Sequence, residues 1–534
     1  MRKKYTGQMI LSGLIVFLAF SACANSVQPT IQLYRLSYNG NGHDDGTPPQ
    51  AAQAVPGARI NTAVNSGYLT KAGYYFAGWN IQPDGRGASY KPGGPVSLDN
   101  HMELYAQWVL LPAEKPLTTF HAVTTGNTWY LVEGVKLVEN DFCIVYGDVN
   151  ENIPPDVAKN VADQYASEIY PKITGVFGEI TYMPVNNGKL FLLLLDIQDG
   201  FTGGGGYVAG YFDSTHMYAF PNSNRAAMLF MDVYPGDPRR LKDFCTVVAH
   251  ELQHLINFSG GKPKNTWINE GLSLAAEYIY GGEQITQRIN YFNMKGTSIP
   301  YGNNFFVWDG EWEQHGYVLE NYSTAYLFFR WLGIQAKGKN DIYTDIANSN
   351  HADYWAVIEA VMNSAHGFPP AFYDWKTLLA TWMLANYYQE GRGFYGYKNE
   401  LKDENQRKVT LTVQNIYVGG SQYSLAPGEG VFSPIPEGTS LAYAPRDNIY
   451  YIGLPESTPP ADLYAAPYSG KDLLTFNGNP SEKGQPEYGY VASLGPTGMG
   501  RNAVNRNKLG PPEEPQGNYP VDFREMAKKN RPLP

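Results

Sequence analysis

Phe244-Cys245-Thr246-Val247-Val248-Ala249-His250-Glu251-Leu252-Gln253-His254-Leu255-Ile256-Asn257-Phe258 is the stretch on which the fold turns. Its apolar spacing predicts a helix over 243–258, with the first half buried. His250 and His254 are four residues apart and share one helical face, so both imidazoles can reach a single metal. A buried helix carrying two histidines and a glutamate needs partners for them, and a metal supplies those partners. Glu251 follows the first histidine and is not itself placed to ligate. From there it can take a proton from a water that a zinc ion has acidified. Chance helices also carry this pattern with the histidines facing solvent; the apolar run before His250 argues against that here.

A third ligand is sought on a following helix. Trp267-Ile268-Asn269-Glu270-Gly271-Leu272-Ser273-Leu274-Ala275-Ala276-Glu277 meets the need, within a helix predicted over 268–280. Glu270 and Glu277 lie two turns apart on one face. The WINEG string resembles the WLNEG segment of gluzincin aminopeptidases, and its Asn-Glu-x-x-Ser part resembles the thermolysin segment. Both resemblances imply that Glu270 is the ligand. Thermolysin has an aspartate four residues after that ligand to orient a zinc histidine, whereas this chain has Leu274. The orienting acceptor must come from elsewhere, with Glu277 one candidate and a purely structural role its alternative.

Oxyanion stabilisation needs a further donor. Tyr322 opens an apolar helix predicted over 322–334, and a tyrosine opening a similar helix does this work in the gluzincin aminopeptidases. His315 competes, because a histidine fills the role in thermolysin; plain core packing of Tyr322 is the third possibility. Upstream, 226–233 reads as a strand, and a strand at this position edges the cleft in gluzincins. The GxMEN string by which the aminopeptidases grip a free N-terminus is missing, which favours an endopeptidase.

The segment from about 135 to 388 resembles the hyicolysin-type neutral metallopeptidases. The likeness rests on Asp196-Ile197-Gln198-Asp199-Gly200-Phe201, on Gly210-Tyr211-Phe212-Asp213-Ser214, on His250 to Phe258, and on the glutamate-bearing helix after it. What it implies is a secreted zinc endopeptidase with an α+β, thermolysin-like (gluzincin) catalytic domain, one Zn2+ per chain and protein or peptide substrates. The competing reading is a catalytically inactive surface adhesin or binding lipoprotein. Decay of that kind breaks motifs, yet His250, Glu251, His254 and Glu270 are all present.

The rest of the chain divides around this unit. Arg2, Lys3 and Lys4 precede an apolar run from Met9 to Phe20, then Ser21, Ala22 and Cys23. This is a secretory signal over 1–22, and it resembles a bacterial lipoprotein signal in which Cys23 is acylated. Phe20 departs from the usual leucine, and ordinary cleavage with free secretion is the alternative. The implied location is the bacterial cell envelope, at the outer membrane or cell surface, with the membrane reached through the lipid. A tether over 23–33 leads to a block over 34–109. There, Phe76-Ala77-Gly78-Trp79 and Leu104-Tyr105-Ala106-Gln107-Trp108 sit among alternating aromatic and small residues between glycine turns. The block resembles the B repeat of internalins, a small β-grasp-like module that serves as spacer or adhesive unit.

A proline-bounded linker over 111–116 precedes the catalytic domain, set at 118–400. Strands are expected over 135–146 and 189–197, and helices over 156–177 and 374–388. A small C-terminal β domain follows over 401–480, with strands at 408–413, 430–433 and 448–454. A polar tail rich in Gly, Pro and Asn, 481–534, reads as disordered. The chain of 534 residues carries a net charge of −10 and has no basic stripe beyond its N-terminus, which argues against nucleic acid as a partner. Cys143 and Cys245 either pair or stay as buried thiols.

Overall fold

The computed structural model describes residues 32–63, 65, 69–71, 74–110, 117–181, 183, 188–203, 205–218, 221–294, 306, 318–403, 405–413, 422–434, 441–443, 448–457, 459–460, 463, 471–481, 487–493 and 518–521. Cys23 with its signal segment, the linker and His315 lie outside the described residues.

The N-terminal unit comprises β1 (Tyr34–Asn39), β2 (Ala52–Ala54), β3 (Ala58–Asn61), β4 (Tyr74–Asn80), β5 (Ser89–Tyr90), β6 (Pro95–Leu98) and β7 (Met102–Leu110). Five strands join in the order β2-β1-β7-β4-β5, and β3 pairs with β6. Trp79 is the buried centre, with the rings of Tyr38 and Phe76 at 4.7 and 5.0 Å. Its indole N–H donates to the Ala63 carbonyl at 2.8 Å, so the buried polar edge is satisfied. The β4–β7 register slips between Phe76 and Trp79, where Gly78 adopts φ +113°. A Cβ at Gly78 would stand 2.9 Å from the Tyr90 carbonyl oxygen, so this bulge accepts only glycine.

The central sheet uses β8 (Leu117–Val123), β9 (Trp129–Glu139), β10 (Cys143–Asp148), β11 (Leu190–Leu195), β13 (Gly210–Tyr211) and β14 (Met228–Asp232), in the order β13-β14-β11-β10-β9-β8. A short β12 (Gly205–Val208) lies outside it. β10, β11 and β14 are parallel neighbours, while the outer strands pair antiparallel. Alternation decides which side chains meet the helices. Cys143, Val145, Leu190, Leu192, Leu194, Leu229 and Met231 face the large helical core. Ile144, Tyr146, Leu193, Leu195, Met228 and Phe230 build a second core on the opposite face.

The helices are α1 (Pro155–Gln164), α2 (Tyr170–Phe177), α3 (Leu241–Ser259), α4 (Thr266–Gly281), α5 (Thr286–Phe292), α6 (Val318–Gln335), α7 (Asp341–Asn348), α8 (Trp355–Met362) and α9 (Trp375–Tyr388). A π-helical turn, Tyr165–Ile169, joins α1 to α2 and accounts for the single helical pattern seen there. None of the described helices is long and apolar enough to cross a membrane.

Three expectations change. The run 135–146 is two antiparallel strands, because the Asn140 carboxamide oxygen accepts from the backbone of Phe142 and Cys143 and turns the chain. The strand expected at 226–233 forms over Met228–Asp232 only, as β14, and the two-residue β13 pairs with its Phe230 and Met231. The segment 408–413 forms no strand, since Gln389 and Asn293 side chains take the backbone N–H groups of Leu411 and Thr412.

Beyond these come β15 (Gln422–Leu425), β16 (Gly430–Pro434), β17 (Leu441–Tyr443), β18 (Ile449–Leu454), β19 (Asp472–Asn477), β20 (Glu487–Ser493) and β21 (Asn518–Val521). They pair as β15-β20-β17 and β16-β19-β18, with β21 alongside β12. Two of these strands fall in the stretch expected to be a disordered tail; in Glu487–Ser493 the first four residues pair with β15 and the last three with β17. Ile452, Leu454, Leu474 and Phe476 share the large helical core with α9, and Tyr387 stacks on Phe432 at 5.4 Å. The β unit and the helices therefore bury one continuous interior.

Candidate metal centre

α3 forms because its apolar residues fall on one side. Phe244, Cys245, Val248, Leu252, Leu255 and Ile256 are all buried against the sheet and the neighbouring helices. α4 follows after a short turn and ends at Gly282 in the left-handed region. Contacts between the two helices pair 250 with 277, 254 with 273 and 257 with 269, so the helices run antiparallel. Gly271 lets α6 approach α4, since a Cβ there would stand 2.2 Å from the Phe329 ring.

This packing brings together the three residues that the sequence named. Ligand atoms of His250, His254 and Glu270 all lie within 4.8 Å of one another, and all three residues are buried. His250 Nε2 is 3.3 Å from Glu270 Oε2, and His254 Nε2 is 3.5 Å from Glu270 Oε1. A tetrahedral zinc with bonds of about 2.1 Å separates its donors by about 3.4 Å, so these spacings suit such an ion. Glu270 Oε2 is buried with no hydrogen-bond partner, the condition a bound cation would relieve. Glu251, 4 % exposed, lies on the same helix between the two histidines.

Both histidines are held from behind. His250 Nδ1 lies 2.7 Å from Glu277 Oε1. A carboxylate there accepts the Nδ1 proton and leaves the Nε2 lone pair facing Glu270. His254 Nδ1 has Ser273 Oγ at 3.0 Å and the Asn269 carboxamide at 2.8 Å. Ser273 Oγ donates in turn to Gln253 Oε1 at 2.5 Å, and Asn257 Nδ2 donates to Asn269 Oδ1 at 2.8 Å. Leu274, at the position where thermolysin has its aspartate, is fully buried in apolar surroundings. Asn269 and Ser273 belong to the Asn-Glu-x-x-Ser string, but the sequence reading assigns them no role; Ser273 lies one turn beyond Glu270 on its face, and Asn269 directly precedes it.

The electrostatics ask for positive charge at the centre. Burial disfavours a charged imidazole at His250, but Glu270, Glu277 and Glu251 outweigh it and hold its pKa well above the usual histidine value. His254 is raised by the same balance, mainly through Glu270. Burial pushes Glu270 up, and the two histidines more than reverse that, leaving its carboxyl well below the usual carboxylate range.

Tyr322 sits on α6, 1 % exposed, with the Arg288 guanidinium 4.6 Å from its ring centroid. Cys143 and Cys245 are both buried free thiols, not a disulfide, and burial pushes each up to about 12.

An antiparallel helix pair that presents two histidines and a glutamate to one point defines a candidate His-His-Glu metal centre. Over 273 residues the chain is 29 % identical to the neutral metalloprotease ShpI of Staphylococcus hyicus, a match covering 48 % of this chain and 60 % of that protein. Residues 34–107 match the family profile of the Listeria-Bacteroides repeat domain. Two Evansella cellulosilytica chains named as membrane proteins, one of them Gly-rich, are 34 % and 33 % identical over 98 and 82 residues. Those matches take in 17 % and 15 % of this chain, and 11 % and 12 % of the relatives. The chain thus spans less than two thirds of the length of each of these relatives.

Proposed function

We propose that the chain is a zinc-dependent endopeptidase of gluzincin type, acting on protein or peptide substrates at a bacterial cell surface and anchored there through a lipid on Cys23. The observation that carries this reading is the convergence of His250, His254 and Glu270 on one buried point, with Glu251 between the two histidines on the same helix. Similarity to a neutral metalloprotease supports it.

His250, His254 and Glu270 would hold the ion. Zinc, when bound, supplies a Lewis acid that makes water acidic enough to attack a carbonyl near neutral pH. The chain's own residues do the rest. Glu251 takes the proton of the attacking water and returns it to the leaving amine. Glu277 fixes the His250 ring so that its Nε2 faces inward, and Asn269 and Ser273 hold the His254 ring. Tyr322 or His315 donates to the oxyanion as the carbonyl carbon becomes tetrahedral.

The test is casein cleavage by the purified chain beside a Glu251→Gln variant, with bound zinc measured in both. The expected outcome is zinc in both and a loss of about 10²–10⁴ in rate for the variant. Folded protein that binds no zinc would overturn the metal centre. Zinc in both with no cleavage by either would favour the surface-adhesin reading, in which the repeat carries the function.

A further inference from the structure

The parallel strands β10 and β14 end in Asp148 and Asp232, and Asp196 follows the last residue of β11, at the C-terminal end of these strands. Register pairs Gly147 with Leu194 and Leu195 with Asp232, so Asp148 and Asp232 flank Leu195 while Asp196 lies one residue beyond that row, and Glu151 follows in the next turn. Asp232 is occupied in holding the backbone N–H groups of Ile197 and Gly236, at 3.0 and 2.9 Å. Glu151 has 15 % and Asp196 42 % of its side chain exposed, so the corner is half-buried and unneutralised charge there is costly.

The cation that meets them comes from the N-terminal repeat. Lys91 Nζ lies 3.3 Å from Asp196 and 3.5 Å from Glu151, and sits 4.1 Å from the centroid of the Tyr234 ring. Nζ is shut off from solvent. Its base is rigid: Lys91-Pro92-Gly93-Gly94 closes a turn in which Gly94 N–H donates to the Lys91 carbonyl at 3.0 Å and Gly93 has φ +75°. A second repeat cation reaches the same neighbourhood. A Cβ on Gly203, φ +106°, would stand 2.6 Å from Arg59 Nη2, so this glycine leaves room for the guanidinium.

We propose that this acidic corner is a docking surface for the chain's own repeat, with the Lys91 ammonium as its key, so that repeat and catalytic unit form one rigid body. The two cations stand at Asp196 and at Gly203, ahead of the short β13 at the edge of the central sheet. The repeat is then a part of the catalytic body and not a spacer swinging on its linker. Docking in this manner holds whether or not the chain cleaves peptide bonds.

The experiment is small-angle scattering and differential scanning calorimetry on the full chain, on Lys91→Met and on Asp196→Lys, with circular dichroism as a check on folding. The charge reversal tests the corner from the catalytic side, should the Lys91 variant disturb the repeat. A compact parent particle with one unfolding transition is expected. Each variant should enlarge the radius of gyration and split off a separate repeat transition. Variants with the parent's radius and single transition would overturn the proposal, as would a parent that is already extended with two transitions.

Discussion

His250 Nδ1 and Glu277 Oε1 lie 2.7 Å apart, joining two helices across 27 residues of sequence. Glu277 is two turns beyond Glu270 on α4, and antiparallel packing carries it to the rear of the first histidine. Thermolysin supplies the equivalent carboxylate four residues after its ligand; this chain has Leu274 there and places the acceptor a turn later.

Replacing Glu277 with glutamine should weaken zinc binding by about 10–100-fold, because the imidazole loses its charged acceptor and some of its basicity. Competition with a chromogenic chelator measures this directly. Unchanged affinity would mean that the contact is structural only.

Stripping the metal should lower the unfolding temperature. A ligand that binds only the native state stabilises it by about 2.7 kcal/mol at a hundredfold excess over Kd. In its absence the buried His250–Glu270–His254 cluster has to retain protons. Calorimetry before and after chelation, then after zinc is restored, should show a loss that reverses.

Gly271→Ala places a methyl group 2.2 Å from the Phe329 ring. Overpacking at a helix contact costs about 1–3 kcal/mol. The same shift displaces α4, so urea denaturation and zinc affinity should worsen together. A variant as stable as the parent would show that Phe329 can swing aside.

Glu151 gives a pH prediction. Burial pushes its carboxyl up to about 7, with Asp196 and Asp148 adding to the rise and Lys91 opposing it. A carboxyl whose folded-state pKa is raised favours the protonated native form. Its penalty is therefore absent below the unfolded value and grows as pH climbs towards 7. Glu151→Gln removes that penalty, so the variant should gain on the parent between pH 5 and pH 8, by on the order of 2–3 kcal/mol. Urea denaturation at the two pH values checks the sign, and a constant gap would refute it.

Much of the candidate site was legible in the sequence because its signals are local. His250 and His254 are a helical turn apart, and that spacing alone puts two imidazoles on one face. The apolar residues of α3 and α4 follow the 3.6-residue period, so both helices could be located, and the resemblance of the WINEG string picked out Glu270 near the start of the second. The Phe76-Ala77-Gly78-Trp79 string marked a strand, and only the Tyr90 carbonyl beside Gly78 shows why that glycine is needed. Local pattern failed where a partner element decided the outcome. β14 reads as a strand, but nothing in 226–233 says that Gly210–Tyr211 will pair with it. Leu411 and Thr412 read as strand residues, but Gln389 and Asn293 claimed their backbone donors.

The sequence by itself determined the periodic elements and the shared face of His250 and His254, because helix geometry converts spacing directly into a shared face, and resemblance selected Glu270 as their companion. Only the tertiary structure decided which carboxylate stands behind His250, that Ser273 and Asn269 brace His254, that the two cysteines stay apart, and that Lys91 closes the acidic corner. Each of those is a contact between elements far apart in sequence. Such contacts depend on the direction and distance at which two surfaces pack, which residue spacing within one element does not encode.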